Sequence, residues 1–172
     1  SRGCGTVFYV SASGVERVVY SFQGQSDGAY PQAGLISVGG MLYGTTQNGG
    51  NKNRDAKHCG DGCGTVFAIN PSETESALYK FQGKSDGASP EAGLISMGSM
   101  LYGTTSNGGG GNDSGTVFAV STQGTESVLH RFGESSDGKD PSAGLLNVHG
   151  TLYGTTASGG AYGDGTVFAL TP

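Results

Sequence analysis

Gly64-Thr65-Val66-Phe67-Ala68-Ile69 is short, β-branched and aromatic, and it opens on a glycine, so it reads as a β-strand entered through a turn. Phe67 and Ile69 fall on one side of such a strand, Val66 and Ala68 on the other. Both sides are apolar, and both need cover. The same Gly-Thr-Val-Phe string also begins at Gly5, Gly115 and Gly165, giving spacings of 59, 51 and 50 residues along a chain of 172. Leu-Tyr-Gly-Thr-Thr begins at Leu42, Leu101 and Leu152, and Ser-Asp-Gly at Ser26, Ser85 and Ser136, each spaced by 59 and 51. Three landmarks stepping together define an internal repeat. The longer first interval owes its extra residues to the polar, glycine-rich segment between Thr46 and Gly64, which reads as a surface loop.

Each repeat holds four short strands. In the last copy these are Ala143 to Val148, Thr151 to Thr156 and Thr166 to Leu170, with Glu126 to Phe132 of the preceding copy standing for the fourth. A small antiparallel sheet covered on both faces by copies of itself, at about 50 residues per unit, is the arrangement of a propeller blade. The expected fold is therefore all-β, a β-propeller-like array of four-stranded antiparallel blades, with a stacked β-solenoid as the alternative. Residues 1–172 read as one array: a partial blade at 1–22, blades at 33–81 and 92–132, and a partial blade at 143–172. A chain that opens and closes in mid-repeat leads to the expectation of a segment of a longer protein. Its expected partners are further repeats of that parent chain or other copies of itself.

Composition narrows the classes. Gly (34) and Pro (5) together disfavour long helices, while 34% hydrophobic and 13% charged residues suit a folded chain better than a disordered tail. Nine basic against fourteen acidic residues give a net charge of −5, which argues against nucleic acid as a partner. No apolar run approaches the roughly 20 residues of a membrane-spanning helix.

The repeated strings Gly-Thr-Val-Phe, Glu75-Ser76 to Phe81, Ser85 to Leu94 and Leu101 to Gly109 resemble the GloVer tandem repeats of bacterial choice-of-anchor secreted proteins, and the resemblance runs over essentially the whole chain. It implies an exported, extracellular or cell-surface setting. It supplies no catalytic residues.

Candidate chemistry is sparse. Cys59 and Cys63 close a five-residue loop neck, counting both cysteines, and read as a disulfide, with free thiols as one alternative and a zinc site that adds His58 as another. Cys4 matches Cys63 by position, so its partner is expected outside the chain. Asp27, Asp86 and Asp137 of the Ser-Asp-Gly strings offer carboxylates to calcium or a sugar hydroxyl, or serve as turn residues. Asn48 and Asn107 lie in the loop after Leu-Tyr-Gly-Thr-Thr, expected at the same end of the sheets as Ser-Asp-Gly. Tyr43, Tyr102 and Tyr153 either stack on sugars or pack between blades, and the Thr pairs that follow them read as strand-end residues. Asn112-Asp113-Ser114 is a glycosylation sequon, used only in a glycosylating host. His58, His130 and His149 occupy non-equivalent positions, which argues against a shared proton-transfer site. No catalytic residue, metal or cofactor is expected. The expected function is non-catalytic binding of a glycan or surface component. The alternatives are a structural protein assembling into a fibre or surface array and a carbohydrate-active enzyme.

Overall fold

The computed structural model describes residues 3–52, 59–133 and 136–172; His58, weighed above as a zinc ligand, lies outside them. Every regular element among these residues is a strand, so none is a helix long and apolar enough to cross a membrane. The chain is all-β. Strands β1 (Thr6–Val10) and β2 (Glu16–Ser21) pair as a hairpin. β3 (Ile36–Val38), β4 (Met41–Thr46), β5 (Thr65–Ile69) and β6 (Glu75–Lys80) make an antiparallel sheet in sequence order. β7 (Ile95–Met97), β8 (Met100–Thr105), β9 (Thr116–Ser121) and β10 (Glu126–Arg131) repeat it. The last sheet holds β12 (Leu146–Val148), β13 (Thr151–Thr156) and β15 (Thr166–Leu170), and a short pair joins β11 (Gly138–Lys139) to β14 (Ser158–Gly159). Pairing in these sheets starts at Ile36, Ile95 and Leu146, three residues after the Ala-Gly-Leu segments begin. The reason is in the Ala-Gly-Leu segments. The carbonyls of Ala92 and Ala143 accept hydrogen bonds from the Thr45 and Thr104 hydroxyls of the preceding sheet, so these segments serve the junction between sheets.

The apolar core lies between sheets, in three seams. In the first, Val7 and Phe22 meet Phe67 and Ile69. In the second, Tyr43, Val66 and Ala68 of one sheet meet Leu101, Phe118 and Val120 of the next. In the third, Tyr102, Val117 and Ala119 meet Leu145, Leu152, Phe168 and Leu170. One face of a strand thus packs backwards along the chain and its other face forwards. This alternation buries every residue of β5.

Each seam is pinned by an aromatic pair. Phe22 stands edge-on to Phe67 at 5.0 Å, Phe81 to Phe118 at 5.1 Å and Phe132 to Phe168 at 5.1 Å. Such pairs add about 0.5–1.5 kcal/mol to the burial of the rings themselves. A β-bulge in each outer hairpin helps to fill the seam. Leu78 is the extra residue between the Phe67–Ala77 and Val66–Tyr79 pairs, so Leu78 and Tyr79 both pack into the second seam instead of pointing to opposite faces.

The glycines that open the first three Gly-Thr-Val-Phe strings, Gly5, Gly64 and Gly115, are held closely under the loop prolines Pro31, Pro90 and Pro141. At Gly115 the backbone takes φ of +91°, and a Cβ there would stand 2.3 Å from the Thr105 carbonyl oxygen and 2.6 Å from Pro141 Cδ. Gly115→Ala is therefore expected to cost about 1–3 kcal/mol or more in urea unfolding. Gly111→Ala, where a Cβ would meet nothing within 4 Å, should cost well under half of that. Equal costs at the two positions would contradict this account.

Candidate functional site

The Ser-Asp-Gly loops and the loops after Leu-Tyr-Gly-Thr-Thr meet at one end of the sheets. Ala29 bridges Asn48, Ala88 bridges Asn107, and β11 pairs with β14 at the third equivalent place. Three paired positions in three repeats confirm that the two loop types share an end. Two features hold the geometry. The residue before each loop proline, Tyr30, Ser89 or Asp140, sits at φ near +58° (58°, 57° and 57°), and Gly49 and Gly108 close directly onto Gly28 and Gly87. Hydroxyl pairs seal the strands behind the loops: Thr46 with Thr65 at 2.8 Å, Thr105 with Thr116 at 2.8 Å, and Thr156 with Thr166 at 2.9 Å. The threonines do more than end strands.

The aspartates are engaged by the fold. Asp27 Oδ2 accepts from the Tyr20 hydroxyl at 3.1 Å and the Gln23 amide at 2.8 Å. Asp86 Oδ2 accepts from the Tyr79 hydroxyl and the Gln82 amide, both at 2.8 Å. In the third copy His130 replaces the tyrosine, with Nε2 at 2.9 Å from Asp137 Oδ2. The carboxylates therefore fasten the loop to the strand before it. Tyr43 and Tyr102 are buried in seams, and Tyr153 is 39% exposed. The side-chain amide of Asn107 donates to Ser106 Oγ at 2.9 Å. Asn112 is exposed, with its amide donating to the Gly133 carbonyl at 2.6 Å, and Ser114 of the sequon is buried.

Cys59 and Cys63 form a disulfide with Cα atoms 4.4 Å apart, and both are fully buried at the second seam. It closes a five-residue turn at the end of the long loop. Cys4 is a free, half-buried thiol. With Gly24, Ala29, Tyr30, Asn48, Lys52 and Asp61 it lines a cleft of about 180 Å³ at the loop end. That cleft brings one cation, one carboxylate, one amide and an exposed phenol to a single small volume. Only Asn48 among its polar lining residues belongs to the repeat-wide pattern read from the sequence. Lys52 and Asp61 come from the insertion that marks one repeat off from the others.

A second group of polar residues, not singled out in the sequence, sits in the seams. Glu75 reaches the Tyr20–Asp27 pair of the preceding sheet, and Glu126 reaches the Tyr79–Asp86 pair. Burial, followed by the negative charge of Asp27, pushes the Glu75 carboxyl up to about 7; contacts with Tyr20 and Lys80 oppose the rise. Glu126 is pushed up to about 7 in the same way, first by burial and then by Asp86, against Tyr79 and Arg131. Burial first, then the bond to Asp27, raises the Tyr20 phenol to about 12, and Tyr79 is raised further still. Glu75 Oε1, Glu126 Oε1 and Asp86 Oδ1 are buried without a hydrogen-bond partner. A proton on each glutamate supplies a donor beside the carboxylate it faces across its seam, Asp27 for Glu75 and Asp86 for Glu126. The signal was present in the repeated Glu-Ser opening of β6 and β10, whose glutamates lie across the seam from aspartates about 40 or more residues earlier.

The sign of the pH effect follows. In the unfolded chain these glutamates titrate near 4.5, and in the folded chain near 7. Between those values the folded state holds more protons, so stability falls as pH rises through that window and levels off above it. Thermal melts from pH 4.5 to 8 should show this decline, and the pair Glu75→Gln with Glu126→Gln should flatten it. A rise in melting temperature across the same window would overturn the assignment.

Two overlapping stretches of the chain, residues 1–108 and 55–172, match a family model described as Gloeobacter/Verrucomicrobia repeat. The match supports the tandem-repeat resemblance drawn from the strings themselves. No curated protein matches the chain.

Proposed function

The chain belongs to the Gloeobacter/Verrucomicrobia repeat family, and from this membership and the loop geometry we propose a non-catalytic, exported module that binds a glycan or a comparable polar surface component at its loop end. The observation that carries the reading is the cleft formed by Tyr30, Asn48, Lys52 and Asp61. Its 180 Å³ is smaller than the roughly 300–1,000 Å³ of sites that enclose a drug-sized ligand. It suits one sugar unit of a longer chain. Lys52 and the Asn48 amide donate to ring hydroxyls, Asp61 accepts from them, and the Tyr30 ring offers an apolar face.

Several features favour this reading over catalysis. The repeated loop aspartates accept from the fold's own tyrosines and amides, which leaves them poor acids or nucleophiles. The glutamates with raised titration points recur in successive seams, whereas a catalytic pair stands in one cleft. The disulfide fits an oxidising compartment, which is where an exported module folds. A propeller-like disposition of the sheets fits the side-by-side placement of the Ala-Gly-Leu segments. A Cβ on Gly93 would lie 3.5 Å from the Gly34 carbonyl oxygen, and one on Gly144 3.9 Å from that of Gly93.

A glycan array probed with the intact chain tests the proposal. Binding to a defined set of polysaccharides is expected, and Lys52→Ala combined with Asp61→Ala should weaken it by roughly tenfold or more, the loss of two charge-assisted hydrogen bonds. The bound glycan should be recovered intact by chromatography; released fragments would favour a carbohydrate-active enzyme. Absence of binding across the array, and to whole cell-surface polysaccharide, would refute the reading.

A further inference from the structure

The two outermost sheets each present to solvent the face that inner sheets bury. On the hairpin β1–β2, Phe8 is 55% and Val10 57% exposed, while the equivalent Phe67 and Phe118 are 0% exposed. Phe8 paired with Val18 forms an apolar patch, whereas the inner counterparts of Phe8, Phe67 and Phe118, pack against the preceding sheet. Among the described residues Phe8 is also the one Gly-Thr-Val-Phe ring with no aromatic partner across a seam. At the other end, Val167 is 79% and Leu146 63% exposed, joined by Val148 and Tyr153. Their counterparts Val66, Ile36, Val38 and Tyr43 pack into the second seam, and Val117, Ile95, Met97 and Tyr102 into the third.

These faces are not alike; they are the two halves of one interface. The Val/Tyr/Ile half and the Phe/Leu/Val half already meet twice inside the chain, at the second and third seams. Hydroxyl chemistry repeats the asymmetry: Thr45 and Thr104 each donate across a seam to an Ala carbonyl, and Thr155, the third copy, stands exposed.

We propose that two copies of this chain associate head to tail, the β12–β13–β15 face of one covering the β1–β2 face of the other as a further seam. The interface is heterologous, so each copy keeps one face free, and successive additions give either a closed ring or an open filament according to the turn made at each seam. The occupant is a second copy because the complementary surface is carried by the chain itself, residue type for residue type. Exposed apolar area of this kind on both outer faces is costly in water and is relieved by the same contact that stabilises the interior. The inference stands apart from the loop-end cleft, which lies on the loop edge of the sheets, and its failure would leave that reading untouched.

Light scattering over a concentration series, with two variants, tests it. The native chain should rise above its 17.3 kDa monomer mass as concentration increases. Phe8→Glu and Val167→Glu each leave one face intact, and each alone should remain monomeric, association weakening by roughly tenfold or more because a carboxylate is driven into an apolar contact. Mixed together they should form dimers and nothing larger, since the good face of one meets the good face of the other. Both sites are exposed in the single chain, so folding is retained, and circular dichroism checks it. Should either variant misfold, Val10→Glu and Leu146→Glu serve the same faces. A chain that stays monomeric at every concentration overturns the proposal, as does assembly indifferent to both variants. Loss of assembly in only one of the two variants points to like faces meeting like and overturns it, as does loss in both without recovery on mixing.

Discussion

A strand with apolar side chains on both faces cannot be covered by its own hairpin, and that constraint organises the whole molecule. In β5 and β9 the Phe side chains turn backwards onto the preceding sheet, and the Val-x-Ala side chains turn forwards onto the following one. Burying a side chain of this size is worth about 1.5–3 kcal/mol, which a four-stranded sheet standing alone would forfeit on both faces. Stability therefore resides in the seams, and the units are interdependent in the manner of a quasi-one-dimensional array. The edge-to-face Phe pairs, the threonine hydroxyls bonded to Ala carbonyls and the positive-φ glycines beneath loop prolines all act at those junctions.

Much of this was legible in the residues because the repeat prints it several times. The strings beginning at Gly5, Gly64, Gly115 and Gly165 fixed strand positions, and the alternation in Thr65–Ile69 required two covers. The shared end of the Ser-Asp-Gly and Asn-Gly-Gly loops followed from strand direction and is realised in the Ala29–Asn48 and Ala88–Asn107 bridges. Other features escaped because they depend on contacts between repeats. Thr45 and Ala92 stand 47 positions apart, and nothing in Leu-Tyr-Gly-Thr-Thr discloses which carbonyl its first threonine meets. The glutamates of β6 and β10 gain their character only from the Tyr–Asp pair of the neighbouring sheet. The cleft at Lys52 and Asp61 was hidden for the opposite reason: it is built by an insertion that breaks the period, where pattern reading has least to compare.

The same division separates scaffold from site. What recurs in every unit, including Asp27, Asp86 and the tyrosines that bond them, is spent on joining loop to strand and sheet to sheet. What differs between units is free to meet a ligand, and the longest such difference is the disulfide-tied loop ending at Cys63. A repeat protein that binds at its loop end gains from extra copies through avidity, so the assembly inferred from the outer faces and the loop-end site reinforce one another without depending on one another.

The interdependence of the sheets is tested most directly by making one substitution at two equivalent places. Phe118→Ala and Phe8→Ala alter the same residue of the same string, but a neighbouring sheet covers Phe118 completely and leaves Phe8 more than half exposed. Chemical denaturation of the dilute chain should give a loss of about 3–5 kcal/mol for Phe118→Ala and well under 1 kcal/mol for Phe8→Ala. Similar losses at both positions would mean that each sheet holds its own core, and the seams would lose their place as the source of stability.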